Sequence, residues 1–377
     1  MTSPDHRIVD CPHKEDCGAC SFLGQPYAAQ LERKRQRVLD VLKRTLRFAN
    51  SQILPTLPSP KIEGYRNRAK MTISTNRDRQ SSLGYFQRRT RNVIDAPDCG
   101  VLVPELLETT RRLRRLINVS GRFPFNLRHI DVRCGSDPKK QHLTLVVKAA
   151  TMPRLPIEEI ADGCPHVAGI GVNLNPKGGA QVIKGRIEPV FGAREVFVES
   201  AGLALRVSPG SFFQVNLGLL PEIHSRMEEF FGPGDLLIDL YAGVGTHGLA
   251  LRRLFRHVLC VEGVRSSVAD ARSSIKSGRA TNVEIIANPI HRTLRRLKSE
   301  KAEAFILNPS AVGADSPALE AVTTSTARSV AYLSCDPETL ARDLAILIDG
   351  GFKLVTVQAI DMMPQTRQIE CLALLRR

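Results

Sequence analysis

The spacing of apolar residues changes along the chain and divides it into parts. Over residues 26–48, apolar residues fall near helical spacing and Arg and Lys fill the other face, which predicts an amphipathic helix. Residues 53–64 are rich in proline and predict a connector. Residues 65–200 contain short β-branched runs divided by turns, with a helical stretch at 103–117. This part is therefore expected to be a β-rich unit.

From residue 221 onward the pattern alternates between helix and strand. The seven strand candidates are DLLIDLYAG, HVLCVEG, NVEIIAN, AEAFILNPS, VAYLSCDP, FKLVTVQAID and IECLALLRR. That alternation predicts an α/β fold with a doubly wound, seven-stranded, Rossmann-like sheet covered by helices on both faces. We expect a cysteine-rich segment and basic helix over residues 1–48, a β-rich central domain over 49–200 and the α/β domain over 201–377.

A glycine-rich turn follows the first strand of the α/β part, in the order Gly243-x-Gly245-x-x-Gly248. We predict a helix directly after it, and Glu262 ends the next strand, where a carboxylate accepts hydrogen bonds from ribose hydroxyls. This arrangement fits NAD and also fits S-adenosylmethionine. Asp239 favours the second, because a carboxylate beside the turn repels a pyrophosphate and suits a sulfonium cation.

Cys335 directly follows an apolar strand and precedes a helix. In a doubly wound sheet this places the thiol at the edge where ligands bind, and the helix N-terminus is expected to lower its pKa. A thiolate beside a methyl donor suggests addition to C6 of a pyrimidine, which makes C5 nucleophilic. Glu370, at the start of the last strand, is the candidate base for the C5 proton, although a surface carboxylate fits the pattern equally well.

A second group of cysteines lies near the N-terminus. Cys11, Cys17 and Cys20 are closely spaced, and Cys99, in a turn sequence, is the best fourth member. Four thiolates bind either an iron–sulfur cluster or a structural zinc, and His13 is an alternative zinc ligand. Spacing alone leaves both open. The cysteines expected in or beside the core are Cys134, Cys164, Cys260 and Cys371.

Charge and composition indicate a partner. The net charge is +15, and basic residues cluster at 31–44, 85–92, 110–116 and 291–298. Clustered Lys and Arg attract phosphate, so we expect a nucleic-acid partner. The sequence shows no apolar signal segment or membrane span, and a cytoplasmic protein without a membrane partner is expected.

Together these motifs resemble the RNA uracil-5-methyltransferase family, which uses S-adenosylmethionine and makes 5-methyluridine. The resemblance spans nearly the whole chain. It rests on the C-x5-C-x2-C start with a later lone Cys and on GYRNRAKM, SFFQVN, DLYAGVG, SCDPETLARDL and the P-x-T-x-x-x-E tail. Length and layout look most like the shorter branch, which lacks an N-terminal OB-like domain and methylates a uridine of 23S ribosomal RNA.

The resemblance implies a role for each motif. A four-iron, four-sulfur cluster would be held by Cys11, Cys17, Cys20 and Cys99. Cys335 would be the nucleophile and Glu370 the base. The residues implied to contact the methyl donor are Gln214, Tyr241, Glu262 and Asn308, with Asn288 a weaker candidate at the adenine edge. The enzyme is expected to act on ribosomal RNA as a monomer.

The chain departs from the family pattern in places. NPSA at 308–311 stands where most members have Asp-Pro-Pro-Arg, MPQTRQIE replaces a more usual Phe-Pro-His-Thr stretch, and Asp336 replaces the common Asn. None of these changes removes a group that performs chemistry. Three alternatives stay open at this point: a transfer RNA substrate, an NAD-dependent oxidoreductase, and an inactive RNA-binding homologue.

Overall fold

The computed structural model describes residues 6–177 and 182–377. Their strands form an eight-stranded sheet, a seven-stranded sheet and a two-stranded hairpin. Elements are numbered in chain order. None of the helices in the described ranges combines the length and the apolar character that crossing a membrane requires.

The N-terminal and central parts contain three helices and eight strands. They are α1 (Tyr27–Thr45), β1 (Ile53–Leu57), β2 (Arg68–Thr75), β3 (Ser81–Phe86), β4 (Val93–Asp95), α2 (Pro104–Val119), β5 (Leu127–Cys134), β6 (Gln141–Val147), α3 (Ile157–Gly163), β7 (Val167–Leu174) and β8 (Ile187–Gly192). The predicted helices at 26–48 and 103–117 are α1 and α2. The central sheet has the strand order β4-β3-β2-β5-β6-β7-β8, and α2 and α3 pack against it.

The C-terminal part begins with a hairpin and continues as alternating helices and strands. It comprises β9 (Val196–Ser200), β10 (Leu203–Val207), α4 (Leu220–Phe231), β11 (Gly234–Leu240), β12 (Phe255–Glu262), α5 (Arg265–Ser277), β13 (Val283–Ala287), α6 (Ile290–Ser299), β14 (Ala304–Leu307), α7 (Ser316–Thr323), β15 (Ser329–Ser334), α8 (Pro337–Asp349), β16 (Lys353–Ile360) and β17 (Glu370–Arg376). All seven predicted strands are present.

The large sheet has eight strands in the order β1-β16-β17-β15-β14-β11-β12-β13, so the prediction of seven was wrong. The additional strand is β1, which pairs parallel to β16 and comes from the stretch predicted as a connector. Ile53 is buried in the same apolar cluster as the neighbouring strands. The proline in β1 is tolerated because this strand lies at the sheet edge, where one side of its backbone has no partner strand.

Both faces of this sheet are covered. One apolar cluster joins the sheet to α1, α6, α7 and α8, and a second joins it to the β9–β10 hairpin and α4. The side chains of Val196 and Val198 belong to the second cluster although they precede residue 201. The β9–β10 hairpin therefore packs with the C-terminal unit.

Candidate active site

Cys335 and Glu370 lie next to each other at the ends of two paired strands. β15 and β17 are antiparallel, and Ser334 lies opposite Cys371 in their register. The next residues outward are therefore Cys335 on one strand and Glu370 on the other. The two side chains are close enough for the Glu370 carboxylate to raise the pKa of the thiol. Two residues 35 positions apart in sequence thus share one site.

The thiol of Cys335 is accessible, in contrast to the buried core cysteines. Partial burial raises its pKa, and the nearby Glu370 carboxylate raises it further. The expected lowering by the helix N-terminus was wrong. The Asp336 carboxylate, which caps α8 by accepting from the backbone N–H groups of Glu338 and Thr339 at 2.9 and 3.0 Å, adds a smaller upward shift to those of burial and Glu370.

Glu370 is a buried carboxyl group with 7% exposure. Burial raises its pKa to about 8. Its carboxyl oxygens make no hydrogen bond to another residue in the described ranges, so no side-chain partner fixes them. A carboxyl group with this pKa holds or releases a proton near neutral pH, which suits a general base.

The glycine-rich turn is held by two carboxylates. Glu262 accepts from the backbone N–H of Gly243 at 2.8 Å. Asp239 is fully buried and accepts from the N–H of Gly248 at 2.8 Å. Burial raises the pKa of Asp239 to about 7. Asp239 therefore lies inside the turn and supports its shape, whereas Glu262 is only partly buried and lies at the edge where a ligand binds.

The expected helix directly after this turn was wrong. Turns continue to residue 250 and only a short 3-10 helix follows, at Leu251–Arg253. Tyr241, Gly243 and Gly245 have φ values of +60°, +58° and +85°. These left-handed conformations keep the backbone out of the α-helical region at the start of the segment.

The predicted donor-binding residues fall into two groups. Tyr241, Glu262 and Asn308 lie at the carboxyl ends of neighbouring strands β11, β12 and β14, on the same edge as Cys335. Gln214 lies instead in the loop after β10, where its side chain is buried and its backbone carbonyl accepts from Asn67. Asn288, the weaker candidate, is exposed just after β13.

Two buried histidines behind Asn308 were missed by the sequence reasoning. The ring of His247 is 3.3 Å from the Asn308 amide nitrogen and 3.1 Å from the ring of His224. Burial lowers the pKa of His247 to about 3 and that of His224 to about 4, so both are neutral at pH 7. This chain of contacts holds the Asn308 side chain. His224 and Asn308 lie 23 and 61 residues from His247 in sequence, and the sequence contains no signal for these contacts.

The unusual NPSA loop is supported by α8. Arg342 donates to the carbonyls of Val312 and Ala314 at 3.1 and 3.4 Å. The buried carboxylate of Asp343 accepts from the Ala314 N–H at 2.8 Å, and the Tyr332 hydroxyl lies 3.1 Å from that nitrogen. The loop lacks the second proline and the arginine of the common motif, and the contacts of Arg342, Asp343 and Tyr332 anchor it instead.

The four N-terminal and turn cysteines are brought together by folding. Residues 17 and 18 pair with the end of β3. Burial, followed by Cys99, Cys17 and Cys11 in that order, raises the pKa of Cys20 to about 12. Within the described ranges, no three His, Cys, Asp or Glu side chains are arranged to hold one metal ion. His13 contacts the carboxylate of Asp98 at 2.9 Å.

A basic cleft opens between the central sheet and the C-terminal unit. Its volume is about 490 Å³. His142 and Arg186 line it from the central side, and Arg206, Ser208 and Val264 line it from the other. The cleft is close to Glu262, because Val264 follows that residue by two positions. Arg186 and Arg206 in this lining are paired with Glu188 and Glu195, and Arg194 also lines the cleft.

The chain is similar to known RNA methyltransferases in sequence and to a solved one in fold. Residues 196–377 match the family model described as tRNA (uracil-5-)-methyltransferase. An RNA methyltransferase of Halalkalibacterium halodurans is 28% identical over 388 residues, covering 99% of this chain and 84% of that protein. One of Gloeobacter violaceus is 29% identical over 387 residues, with 99% and 83% covered.

Among solved structures, the chain is similar to the Pyrococcus abyssi tRNA (uracil-54, C5)-methyltransferase in complex with S-adenosyl-L-homocysteine. The TM-score is 0.77 at 24% identity, and the match covers 98% of this chain and 87% of that one. The fold is therefore shared over nearly the full length. The family match over residues 196–377 and the relatives over nearly the full length both indicate an RNA methyltransferase that acts on C5 of uracil. They favour this activity over the oxidoreductase alternative.

Proposed function

We propose that this enzyme methylates C5 of a uridine in 23S ribosomal RNA, with Cys335 as nucleophile and Glu370 as base. The observation that carries the proposal is the position of these two residues at the adjoining ends of β15 and β17. The same sheet edge carries Glu262 and Asn308. Nucleophile, base and predicted donor-binding residues thus lie along one edge of the sheet.

The reaction follows from the chemistry of the two groups. The Cys335 thiolate adds to C6 of uracil, and the electron pair of the C5–C6 bond makes C5 nucleophilic. C5 takes the methyl group from the sulfonium, which leaves S-adenosylhomocysteine. The Glu370 carboxylate then removes the C5 proton, the C6–S bond breaks, and the Cys335 thiolate is released. Every bond formed to the enzyme is broken again, so the cycle closes.

The donor would lie along the glycine-rich turn. The two oxygens of Glu262 already accept from the Gly243 and Val264 N–H groups, and their remaining lone pairs suit the ribose hydroxyls. Tyr241 and Asn308 extend the same edge toward Cys335, which suits contacts to the donor or the target base. Gln214 would complete the site from the loop after β10.

The cysteine group would hold a four-iron, four-sulfur cluster. Its donor set fits, because the pKa values of the Cys11, Cys20 and Cys99 thiols are raised, and thiols so close to one another need cationic ligands to become thiolates together. Each iron of such a cluster takes a different cysteine, so the thiolates lie farther apart than ligands of one ion. When bound, the cluster would tie Cys11, Cys17, Cys20 and Cys99 together.

Metal analysis tests the cluster directly. We expect about four iron and four sulfide per chain and a brown protein with broad visible absorption. Colourless protein with one zinc per chain would contradict this assignment. The result is independent of methyl transfer, so it separates the cluster proposal from the reaction.

The RNA would enter through the basic cleft. A net charge of +15 favours phosphate binding, and the cleft lies between the central sheet and the donor site. Because C6 of a stacked and paired base is inaccessible, the target uridine would have to be flipped out or single-stranded.

Transfer RNA is the second candidate substrate. It is favoured by the similarity of this chain to a family described as tRNA (uracil-5-)-methyltransferase and to the Pyrococcus abyssi enzyme, which is itself a tRNA methyltransferase. Mass mapping of 5-methyluridine in both RNAs, from a deletion strain with and without the gene restored, separates the two. We expect one modification in 23S RNA to disappear and return. A change confined to transfer RNA would replace the first candidate by the second.

Two variants test the catalytic roles. Cys335→Ala should bind the donor and RNA but transfer no methyl group, because C5 is never activated. Glu370→Gln should accumulate a denaturation-resistant protein–RNA adduct that carries the donor methyl, because elimination stalls after transfer. A labelled adduct with Cys335→Ala would exclude Cys335 as nucleophile. Normal turnover by Glu370→Gln would exclude Glu370 as base, and inactivity of wild-type protein on both RNAs would favour an inactive homologue.

A further inference from the structure

We propose that Lys34 and Gln30 of α1 are positioning residues for Glu370, and that they act by holding the segment at 361–369, which we call the base loop. The proposal rests on the proposed role of Glu370 as the C5 base. The base loop connects β16 to Glu370, the first residue of β17. Since the Glu370 carboxyl makes no hydrogen bond to another described residue, the backbone that leads into it sets its position.

The first contact is a fully buried ion pair. The side chains of Lys34 and Asp361 are both 0% exposed, and Lys34 Nζ lies 2.5 Å from Asp361 Oδ1. Lys34 Nζ also donates to the carbonyl of Met363 at 3.2 Å. Burial lowers the pKa of Lys34 while the Asp361 carboxylate opposes that shift. A buried pair gains little net stability over apolar packing, so its directional bonds to the base loop are its clearest contribution.

The second contact is an exchange of hydrogen bonds between two buried amides. Gln30 Nε2 donates to Gln365 Oε1 at 2.9 Å, and the Gln365 backbone N–H donates to Gln30 Oε1 at 3.0 Å. Gln365 has a φ of +69°, a conformation that non-glycine residues adopt at a cost. Such a conformation persists when the surroundings determine it, and here Gln30 supplies those surroundings.

The cysteine segment and the GYRNR motif complete the hold on the base loop. The Phe22 N–H donates to the Gln365 carbonyl at 2.9 Å, and the Arg367 N–H donates to Ser21 Oγ at 2.8 Å. The Tyr65 hydroxyl donates to the Pro364 carbonyl at 3.1 Å. Tyr65 is buried, so this contact with the base loop is shielded from water.

These contacts have a consequence for one step of catalysis. Addition by Cys335 and methyl transfer to C5 do not need Glu370, whereas elimination does. A displaced carboxyl should therefore slow elimination selectively, and a misplacement near 1 Å costs about a hundredfold in rate. An enzyme whose base loop is no longer held should therefore behave like Glu370→Gln and accumulate the methylated adduct. A role in stability alone would instead affect folding without trapping the adduct.

The experiment compares variants for adduct formation at saturating RNA with a methyl-labelled donor. Lys34→Met alone leaves Asp361 buried and unpaired, which threatens folding. Lys34→Met combined with Asp361→Leu removes both charges and keeps the volume. Gln30→Leu tests the second contact separately. Lys43→Met, which removes an exposed lysine of the same helix, is the matched control.

We expect the double variant and Gln30→Leu to bind S-adenosylhomocysteine like wild type and to transfer methyl at a similar single-turnover rate. Product release should slow about a hundredfold while labelled adduct accumulates. Lys43→Met should accumulate no labelled adduct. Wild-type release by folded double variant and folded Gln30→Leu would overturn the proposal. Glu370→Gln is measured in parallel, and absence of adduct there would overturn the base assignment itself rather than the positioning role.

Discussion

Burial acts on Cys335 and Glu370 in the same direction but with different consequences for the reaction. Both pKa values are raised, so protonated forms are favoured at each. For the thiol this disfavours the nucleophile before substrate binds. For Glu370, with a pKa of about 8, it means that about a tenth of the molecules carry the ionised base at pH 7.

The pH dependence should therefore reveal which group limits turnover. If elimination limits it, single-turnover product formation should rise from pH 6 to 9 with a midpoint near the Glu370 pKa of about 8. Wild-type enzyme should then show labelled adduct at pH 6 and none at pH 9, because the base is protonated at the lower pH. A rate that rises without adduct at pH 6 would show that thiolate formation limits turnover instead.

Asp239 provides a second prediction, on stability. Burial raises its pKa to about 7 from a usual value of 3.8, so the folded state holds the proton more tightly than the unfolded state. Between pH 3.8 and about 7, unfolding therefore releases this proton. The stabilising contribution of the protonated Asp239 carboxyl group is lost as pH rises through 7. Asp239→Asn keeps an oxygen for the Gly248 N–H but does not titrate. The melting temperature of wild type relative to this variant should fall from pH 5 to pH 8, and a constant difference would contradict the assignment.

At the scale of elements, β1 is expected to be part of the methyltransferase core. Ile53 is buried at 2% exposure, so Ile53→Ala should destabilise the enzyme by about 2–5 kcal/mol in urea unfolding. Val355 on the adjacent β16 is 40% exposed, and Val355→Ala should change stability by less than about 0.5 kcal/mol. Similar small effects of both substitutions would indicate that β1 contributes little to the core.

The elements that sequence predicted well are those with strong local patterns. The strands of the large sheet are buried on both faces, so they form continuous apolar runs such as residues 304–307. By contrast, β1 contains a proline, and its partner β16 lies about 300 residues away. Periodicity cannot report such a pairing. The left-handed conformations of Tyr241 and Gly243 in the glycine-rich turn likewise leave no trace in the apolar pattern.

The residues of the candidate site likewise divide into those that the sequence predicted and those that it did not. Cys335 and Glu370 were found because their residue types and strand-end positions suggest their chemistry. The contacts of Lys34 with Asp361 and of His247 with Asn308 join residues from distant parts of the chain. Their polar side chains look like surface positions in sequence, and only the folded chain shows that they are buried.

At the scale of the whole molecule, the first and last parts of the chain meet at the base loop. The cysteine segment that ends at Cys20 is followed directly by Ser21 and Phe22, whose contacts hold Arg367 and Gln365. A cluster bound by that segment would therefore be linked through two residues to the backbone before Glu370. Metal content and elimination should be coupled.

Cys99→Ser tests this coupling. Cys99 is distant in sequence from the other three cysteines, yet burial raises the pKa of its thiol, and Val101, Tyr85 and Cys17 are close enough to affect that pKa. Loss of this ligand should remove the cluster, loosen residues 11–22 and release the base loop. We expect iron and visible absorption to be lost and methyl-labelled adduct to accumulate. Cys164→Ala, which changes a buried core cysteine outside the predicted ligand set, should keep its iron and release product normally. If Cys99→Ser loses iron but releases product at the wild-type rate, the cluster and Glu370 act independently. If it keeps its iron, Cys99 is not a ligand.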